Sequence, residues 1–243
     1  LAIQAEAGAI SLTGSEEAPS KVGFSAADIA SAMYALSSIL AALYRRAQTG
    51  EGATIELSML ECLAEWTAAP TYGAVGRDAR PVRAGHRHAT ISPYGIYPLA
   101  DGSEIVLAVQ NRTEWEALAC EVFGMPDLVT DERFSTNEAR VSNLEAFEPL
   151  LRAGLASVPA EEMLGRLRIA RIAVGRVNDP LAVWEHEQLR ARDRFITTEL
   201  PTGRAETYRP PFNIDDTPDA HPVVPAVGQH DLGLLDELRR RAD

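Results

Sequence analysis

Asp28 is the residue of this 243-residue chain whose position most directly suggests chemistry. It is the one acid in residues 26–49, an apolar pattern that predicts a helix, and it lies in the first turn. Ser25 is the expected N-cap, so Asp28 is either half of a capping box or a nucleophile. Free N–H groups and the helix dipole would keep the carboxylate ionised. An ionised carboxylate can attack an acyl carbon and form a covalent intermediate. The local pattern alone favours the cap and leaves both roles open.

A second group of reactive side chains lies in residues 70–92, where an acidic chain becomes locally basic. Proline and glycine interrupt this stretch, which predicts a domain boundary or a mobile loop. His86 and His88 flank Arg87, and no cysteine or third histidine lies near them in the sequence. We therefore interpret the histidines as loop residues or substrate contacts rather than metal ligands. No phosphate-binding glycine loop and no nucleophilic serine elbow is found in the sequence.

The elements around Asp28 predict a layered α/β arrangement. The helix beginning after Ser25 should run to about Ala47 and stop at Gly50, followed by a strand over 53–58 and a helix over 59–66. Further on, the pattern predicts two β-hairpins, 94–99 with 104–110 and 195–200 with 205–208. It also predicts a strand over 172–177 and helices over 113–122, 136–156, 159–170, from 180 and over 232–241. Thr113 and Glu116 are the expected capping box of the first of these helices.

Composition excludes some classes of function. Lys and Arg number 23 and Asp and Glu 35, a net charge of −12, so the chain is a poor candidate for binding nucleic acid or an anionic membrane through its overall field. Cys62 and Cys120 lack metal-ligand spacing and are expected to be buried thiols in a reducing compartment. Residues 26–44 are about long enough to span a membrane. Asp28 and the Arg45–Arg46 pair favour a buried helix of a globular protein instead.

Ordered motifs along nearly the whole chain resemble the class III CoA-transferase family, also called the carnitine dehydratase / bile-acid-inducible type. The first set surrounds Asp28 and the second surrounds the basic loop. The matching runs are residues 21–23, 28–30, 39–46, 49–52, 85–88, 93–95, 101–102, 108–111, 114–115, 131–134, 136–137 and 140–141.

This resemblance implies a mechanism. Family members move coenzyme A from an acyl-CoA to a free carboxylic acid, and Asp28 matches their catalytic aspartate. That residue forms a mixed anhydride and then an aspartyl-CoA thioester. Gly85, His86, Arg87 and His88 match a loop over the active site, and are the expected substrate or CoA contacts. The loop has one glycine here, whereas some members have several. Coenzyme A enters as a thioester substrate, and no tightly bound cofactor or metal is expected.

The resemblance also implies a domain organisation. The expected fold class is α/β: part of a Rossmann-like large domain, built from both chain ends, plus a smaller α+β domain, in subunits that interlock as a homodimer. The expected boundaries are 1–72 for the large domain, 73–92 for the linker and active-site loop, 93–200 for the small domain and 201–243 for the return to the large domain. The chain begins at Leu1 and lacks the family's N-terminal half-domain, so we expect it to be a C-terminal portion.

Several functions stay open at this point. Residues 94–95 and 109–111 look most like those of family members that act on short branched dicarboxylates such as itaconate, mesaconate or citramalate. Arg83 and Arg87 are candidate contacts for a carboxylate or a CoA phosphate. An α-methylacyl-CoA racemase and an intramolecular CoA-transferase, both isomerases, are alternatives, as is a non-catalytic CoA-binding fragment. The expected location is the cytoplasm, with no nucleic-acid or membrane partner.

Overall fold

The computed structural model describes residues 1–15, 17–81, 83–212, 214 and 222–242. The chain divides into two compact units, Leu1–Val177 and Asn178–Asp243. Helices and sheets are mixed, which agrees with the predicted α/β class. The predicted boundaries at residues 72, 92 and 200 concern the whole assembled protein and stay a prediction.

Five helices begin the first unit: α1 Ala2–Glu6, α2 Ala9–Leu12, α3 Ala26–Thr49, α4 Met59–Trp66 and α5 Ala68–Arg77. Helix α3 follows Ser25 and stops, as predicted, at Gly50, whose φ of 75° is easily reached without a side chain. The prediction of a loop from residue 70 is wrong for the residues in α5. Pro70 is the third residue of α5, and a proline is tolerated in a first turn, where its missing N–H is not needed.

Small side chains form the core between these helices. Ala26 and Ala27 of α3 are buried against Ala7, Ala9 and Leu63. The prediction that α3 is a buried helix is wrong within this chain, where 17% of its most apolar 18-residue window is buried. By length and composition alone, α3 also qualifies as a membrane span. Its exposed apolar side chains are Ile29, Met33, Leu36, Ile39, Leu40, Leu43 and Tyr44.

The strand predicted over residues 53–58 is not formed. A strand is defined by backbone hydrogen bonds to a neighbour, and the described part of the chain supplies no partner strand there. The alternating pattern of Ile55 and Leu57 therefore leaves both side chains exposed.

A three-stranded antiparallel sheet organises the rest of the first unit. Its strands are β1 Tyr94–Pro98, β2 Glu104–Ala108 and β3 Ala173–Arg176, in that order. Tyr94 lies opposite Ala108 and Ile105 opposite Arg176. The predicted hairpin is confirmed, and Gly102 in its turn has a φ of 80°.

Helices pack on this sheet around one large apolar core. They are α6 Arg112–Ala117, which continues as a π-helical turn over Leu118–Val122, α7 Asp127–Thr130, α8 Asn137–Ser142, α9 Leu144–Leu155 and α10 Ala160–Ile169. Helix α9 lies on β1 and α10 on β3. The largest fully buried side chains here are Trp115, Tyr97, Phe134, Phe147, Ile105, Leu107, Leu118, Leu151, Leu155, Met163, Leu164 and Leu167.

Three details of the sequence prediction are corrected here. The N-cap of α6 is Asn111, whose side chain accepts a hydrogen bond from the Glu114 N–H, rather than Thr113. The helix predicted over 136–156 is two helices, because Asn143 leaves helical geometry between them with a φ of −116° and a ψ of 32°. Cys120 is exposed, since the π-helical turn directs Leu118, Ala119 and Val122 into the core.

The second unit contains α11 Pro180–Trp184, α12 Glu187–Ala191, β4 Phe195–Leu200, β5 Gly203–Tyr208 and α13 Asp231–Ala242. Asp179 caps α11 by accepting the Ala182 N–H at 2.8 Å. The predicted hairpin is confirmed, with Phe195 opposite Tyr208. Trp184 packs edge-on against both rings. Much of the proline-rich tail predicted from residue 210 lies outside the described residues.

Candidate active site

Asp28 is the third residue of α3, and its side chain is exposed. Its neighbours Ala26, Ala27 and Ala30 are buried, with 3%, 4% and 0% of their surface exposed. The small alanines hold this end of the helix against α1 and α4, and Asp28 lies on the opposite face. The carboxylate is therefore accessible at the positive end of a 24-residue helix.

The segment before α3 is fixed by Gln4, a residue that the sequence did not single out. Gln4 is 5% exposed. Its Oε1 accepts the Val22 N–H at 3.0 Å, and its Nε2 donates to the Phe24 carbonyl at 3.4 Å. The Ala26 N–H also donates to that carbonyl, at 2.8 Å. These bonds fix the direction in which the chain enters α3 and hence the position of Asp28.

The capping box predicted for Ser25 and Asp28 is not formed. Ser25 occupies the N-cap position, but its side chain makes no capping hydrogen bond. Among the described residues, the Asp28 side chain has neither a hydrogen bond nor an ion pair. The structural explanation that the sequence favoured for this acid is therefore absent, and both carboxylate oxygens are free to act on a substrate.

The Gly85–His88 loop begins as a turn, in which Gly85 has a φ of 60° and the Arg87 N–H donates to the Ala84 carbonyl at 3.0 Å, and it then runs beside β1. The His88 N–H donates to the Tyr94 carbonyl at 2.8 Å, and the Ile96 N–H donates to the His86 carbonyl at 3.1 Å. Between them, Arg87 pairs with Gly95 as an isolated bridge. His86 and His88 are exposed, whereas Arg87 is partly buried.

Gly95 makes this pairing possible, because a Cβ atom there would lie 2.8 Å from the His86 carbonyl oxygen. We expect Gly95→Ala to displace residues 86–88 from β1 at a cost of about 1–3 kcal/mol. Hydrogen exchange should show it: the amides of His88 and Ile96 should exchange about tenfold faster or more. Gly165→Ala in α10 is the matched control, since nothing lies within 4 Å of the added methyl group. Unchanged exchange at both amides would contradict this reading of the loop.

Arg87 points towards the body of the first unit. Its Nη1 lies 3.9 Å from Oε1 of Glu148, and Oε2 of the same carboxylate accepts a hydrogen bond from Arg152 Nε at 3.2 Å. Burial, followed by the charge of Glu148, raises the pKa of the nearby Tyr97 above its usual value of 10.0. Arg87 thus helps to hold the loop on α9, in addition to any contact with a substrate.

His88 is oriented by two contacts. Its ring stacks on Tyr94, with centroids 5.0 Å apart and an angle of 19° between the planes. Its Nδ1 accepts the Thr90 N–H at 3.2 Å. In the neutral imidazole, the proton is therefore on Nε2, which can donate to a ligand.

Asn137 and Arg140 fix residues 90–92, which connect the Gly85–His88 loop to β1. The sequence analysis assigned neither residue a role in the site. Asn137 accepts the Ser92 N–H at 3.1 Å through Oδ1 and donates to the Thr90 carbonyl at 2.9 Å through Nδ2. Arg140 Nε donates to the Ser92 carbonyl at 2.6 Å. The only signal in the sequence was that both residues lie in matching motifs.

The loop also contacts the segment that leads towards α3, because Arg83 Nε donates to the Ser15 carbonyl at 2.8 Å. No described contact joins Asp28 itself to Gly85, His86, Arg87 or His88. A group of three or more metal-ligating side chains is not found in the part of the chain that the structure describes. The candidate site therefore has two separate parts. One is the unpartnered carboxylate of Asp28 in the first turn of α3, and the other is a loop, held by hydrogen bonds, on which two imidazoles are exposed.

The sequence of the chain is similar to a known protein family and to several of its members. The model of CoA-transferase family III matches residues 1–231. Succinate–glutarate CoA-transferase of Agrobacterium fabrum is 28% identical over 97% of this chain and 59% of its own length. Succinyl-CoA:mesaconate CoA-transferase of Haloarcula hispanica is 28% identical over 98% of this chain and 60% of its own length.

A solved structure shows the same likeness. The crystal structure of a CAIB/BAIF family protein from Brucella suis matches with a TM-score of 0.79 and 29% identity, over 97% of this chain and 61% of that one. The chain thus spans about three-fifths of the length of the proteins it resembles.

Proposed function

The chain belongs to CoA-transferase family III, and from this we propose that the protein containing it transfers coenzyme A from an acyl-CoA to a free carboxylate, with Asp28 as the nucleophile. The observation that carries the proposal is the state of Asp28. It is exposed, it begins a long helix, and it has no cap, hydrogen bond or ion pair among the described residues. An acid that caps its helix at this position would make at least one of these contacts.

The reaction follows from carboxylate chemistry. Asp28 attacks the thioester carbonyl of the donor and expels the CoA thiolate, which leaves a mixed anhydride between the acyl group and Asp28. The thiolate then attacks the Asp28 carbonyl, so that the donor acid departs and an aspartyl-CoA thioester remains. The acceptor carboxylate attacks that thioester and again releases the thiolate. Attack of the thiolate on the acceptor carbonyl forms the new acyl-CoA and restores the Asp28 carboxylate.

Short dicarboxylates are the proposed acids. The names of the two relatives given above state that they act on succinate, glutarate and mesaconate. A dicarboxylate presents one carboxyl group to Asp28 and needs a donor for the other. His86 and His88 are the exposed side chains of the loop, and the Nε2–H of His88 is available to donate. We assign the second carboxyl group to these imidazoles rather than to Arg83, whose Nε is engaged by Ser15.

The remaining proposals concern the assembled protein. The exposed apolar face of α3 is the surface that the rest of a large domain would cover, which supports a homodimer of interlocked subunits as the complete enzyme. A cytoplasmic location and the absence of a tightly bound cofactor accord with an enzyme whose coenzyme A arrives and leaves as a substrate.

Trapping of the covalent intermediate tests the proposal. The natural protein is incubated with succinyl-CoA, treated with hydroxylamine and digested, and the modified peptide is mapped by mass spectrometry. We expect a hydroxamate on Asp28. Absence of a label at Asp28 during turnover would exclude the nucleophile. Exchange of the α-proton of a 2-methylacyl-CoA in deuterated water, without transfer, would instead indicate a racemase.

A further inference from the structure

A cavity of about 250 Å³ lies between the beginnings of α6 and α8, apart from Asp28 and from the exposed histidines. The residues that line it include Gln110, Asn111, Trp115, Ser135, Thr136 and Arg140. This volume is far larger than the ~15 Å³ that a single water molecule requires. The lining combines polar side chains with a larger area of apolar surface, so the cavity is suited to a small ligand that has a polar group.

Two arginines line this wall. Arg112 forms an ion pair with Glu116 at 2.7 Å. Arg140 is 3% exposed. Its Nε and Nη1 donate to the carbonyls of Ser92 and Phe134, at 2.6 and 2.9 Å. Its guanidinium carbon lies 4.4 Å above the ring of Trp115. Both hydrogen-bond partners are neutral, and no carboxylate within the described residues forms an ion pair with it.

The guanidinium therefore still has a hydrogen-bond donor that could bind a ligand. Nη2 of Arg140 has no hydrogen-bond partner among the residues described. Burial lowers the pKa of Arg140 to about 10, while Glu138 acts in the opposite direction, so the side chain is still a cation at neutral pH. Buried arginines are normally paired with an anion, because desolvating a lone charge is costly.

Neutral donors surround the same space. Ser135 and Thr136 each bring a hydroxyl group, and Gln110 brings an amide. The amide of Asn111 is already occupied, because its Nδ2 donates to Glu114 at 2.8 Å. The Glu114 carboxylate also accepts the Gln110 N–H at 2.6 Å, so the side near Glu114 repels anions. The end of the cavity nearest Arg140 is the favourable place for a negative charge.

We propose that this cavity binds a compact oxyanion, either the carboxylate of a small organic acid or inorganic phosphate, with Arg140 as its principal contact. Carboxylate and phosphate oxygens are the partners that a guanidinium binds best, because its donors match their geometry. The proposal does not depend on CoA transfer. Binding can be measured without any CoA ester, so failure of one proposal leaves the other standing.

Arg140 also joins this cavity to the loop, since its Nε holds the Ser92 carbonyl. Asn137, a further lining residue, holds the Ser92 N–H and the Thr90 carbonyl. An anion bound to Arg140 would therefore contact the side chain that fixes the end of the histidine-bearing loop.

Fluorine NMR of the natural protein labelled with 5-fluorotryptophan tests the site. The Trp115 resonance, assigned with Trp115→Phe, is followed during separate titrations with sodium acetate, sodium succinate and sodium phosphate. Sodium chloride at equal ionic strength corrects for general salt effects. We expect a saturable shift of the Trp115 resonance with at least one of the three anions, and comparison of the three identifies carboxylate or phosphate as the ligand.

Three variants make the test specific. Arg140→Met should abolish the saturable shift. Arg133→Gln, which removes a nearby charge outside the cavity wall, should leave it unchanged. If Arg140→Met does not fold, Ser135→Phe fills the cavity while keeping both hydrogen bonds of Arg140, and should also abolish the shift. Absence of a saturable shift in the natural protein, or the same shift in the cavity variants, would overturn the proposal.

Discussion

Asp28→Asn is expected to lower kcat for CoA transfer by about 10³-fold or more while leaving the fold intact. The amide has nearly the shape of the carboxylate but cannot attack a thioester. Asp28 is exposed and unpartnered within the described residues, so the change should cost little stability beyond the ~0.3–1 kcal/mol interaction of a carboxylate with the helix terminus. The measurement is kcat with saturating succinyl-CoA and acceptor, together with the thermal unfolding midpoint of the same preparation.

Glu61→Gln is the matched control, because Glu61 is also an exposed acid in the third position of a helix, here α4. Its loss should leave the rate within about twofold. Asp28→Glu adds a second control, since it keeps the carboxylate but moves it by one methylene group and should retain only part of the activity. If Asp28→Asn kept more than a tenth of the rate, Asp28 would not be the nucleophile.

Local signals were sufficient where an element completes itself within a short stretch of sequence. The hairpin of β1 and β2 needs only alternating apolar residues and the Asp101–Gly102 turn, and the bounds of its strands were predicted within two residues. The end of α3 at Gly50 was equally local. By contrast, residues 53–58 have the pattern of a strand but no partner among the described residues, because strand pairing depends on distant parts of a chain.

The candidate site was predictable in part for the same reason. Asp28 could be identified from its helix and from the order of the surrounding motifs, although no local feature separated a cap from a nucleophile. The absence of a capping bond is a property of the three-dimensional structure that the sequence does not indicate. Gln4 and Arg140 donate hydrogen bonds to carbonyls that lie 20 and 48 residues away in the sequence. No pattern in a short stretch of sequence can indicate such contacts.

The largest expected loss of stability follows from the core that supports the loop. Phe147 of α9 is 1% exposed and packs edge-on against Trp115 and at an angle against Phe134, with centroids 5.5 and 5.4 Å apart. Phe147→Ala would leave a cavity and remove both ring contacts, at a cost of about 3–5 kcal/mol. For a domain of this size, that loss corresponds to a fall in Tm of about 6–20 °C.

Phe147→Ala should also destabilise the Gly85–His88 loop, because Glu148, the next residue of α9, pairs with Arg87. We therefore expect faster hydrogen exchange at the His88 amide in Phe147→Ala, measured well below the Tm of the variant. Phe147→Leu, which refills most of the space, should lower Tm by less than half as much and leave that exchange close to normal. A Tm within about 2 °C of the parent in Phe147→Ala would contradict the packing. A large fall in Tm with unchanged His88 exchange would show instead that the loop is held by β1 and Arg140 without help from α9.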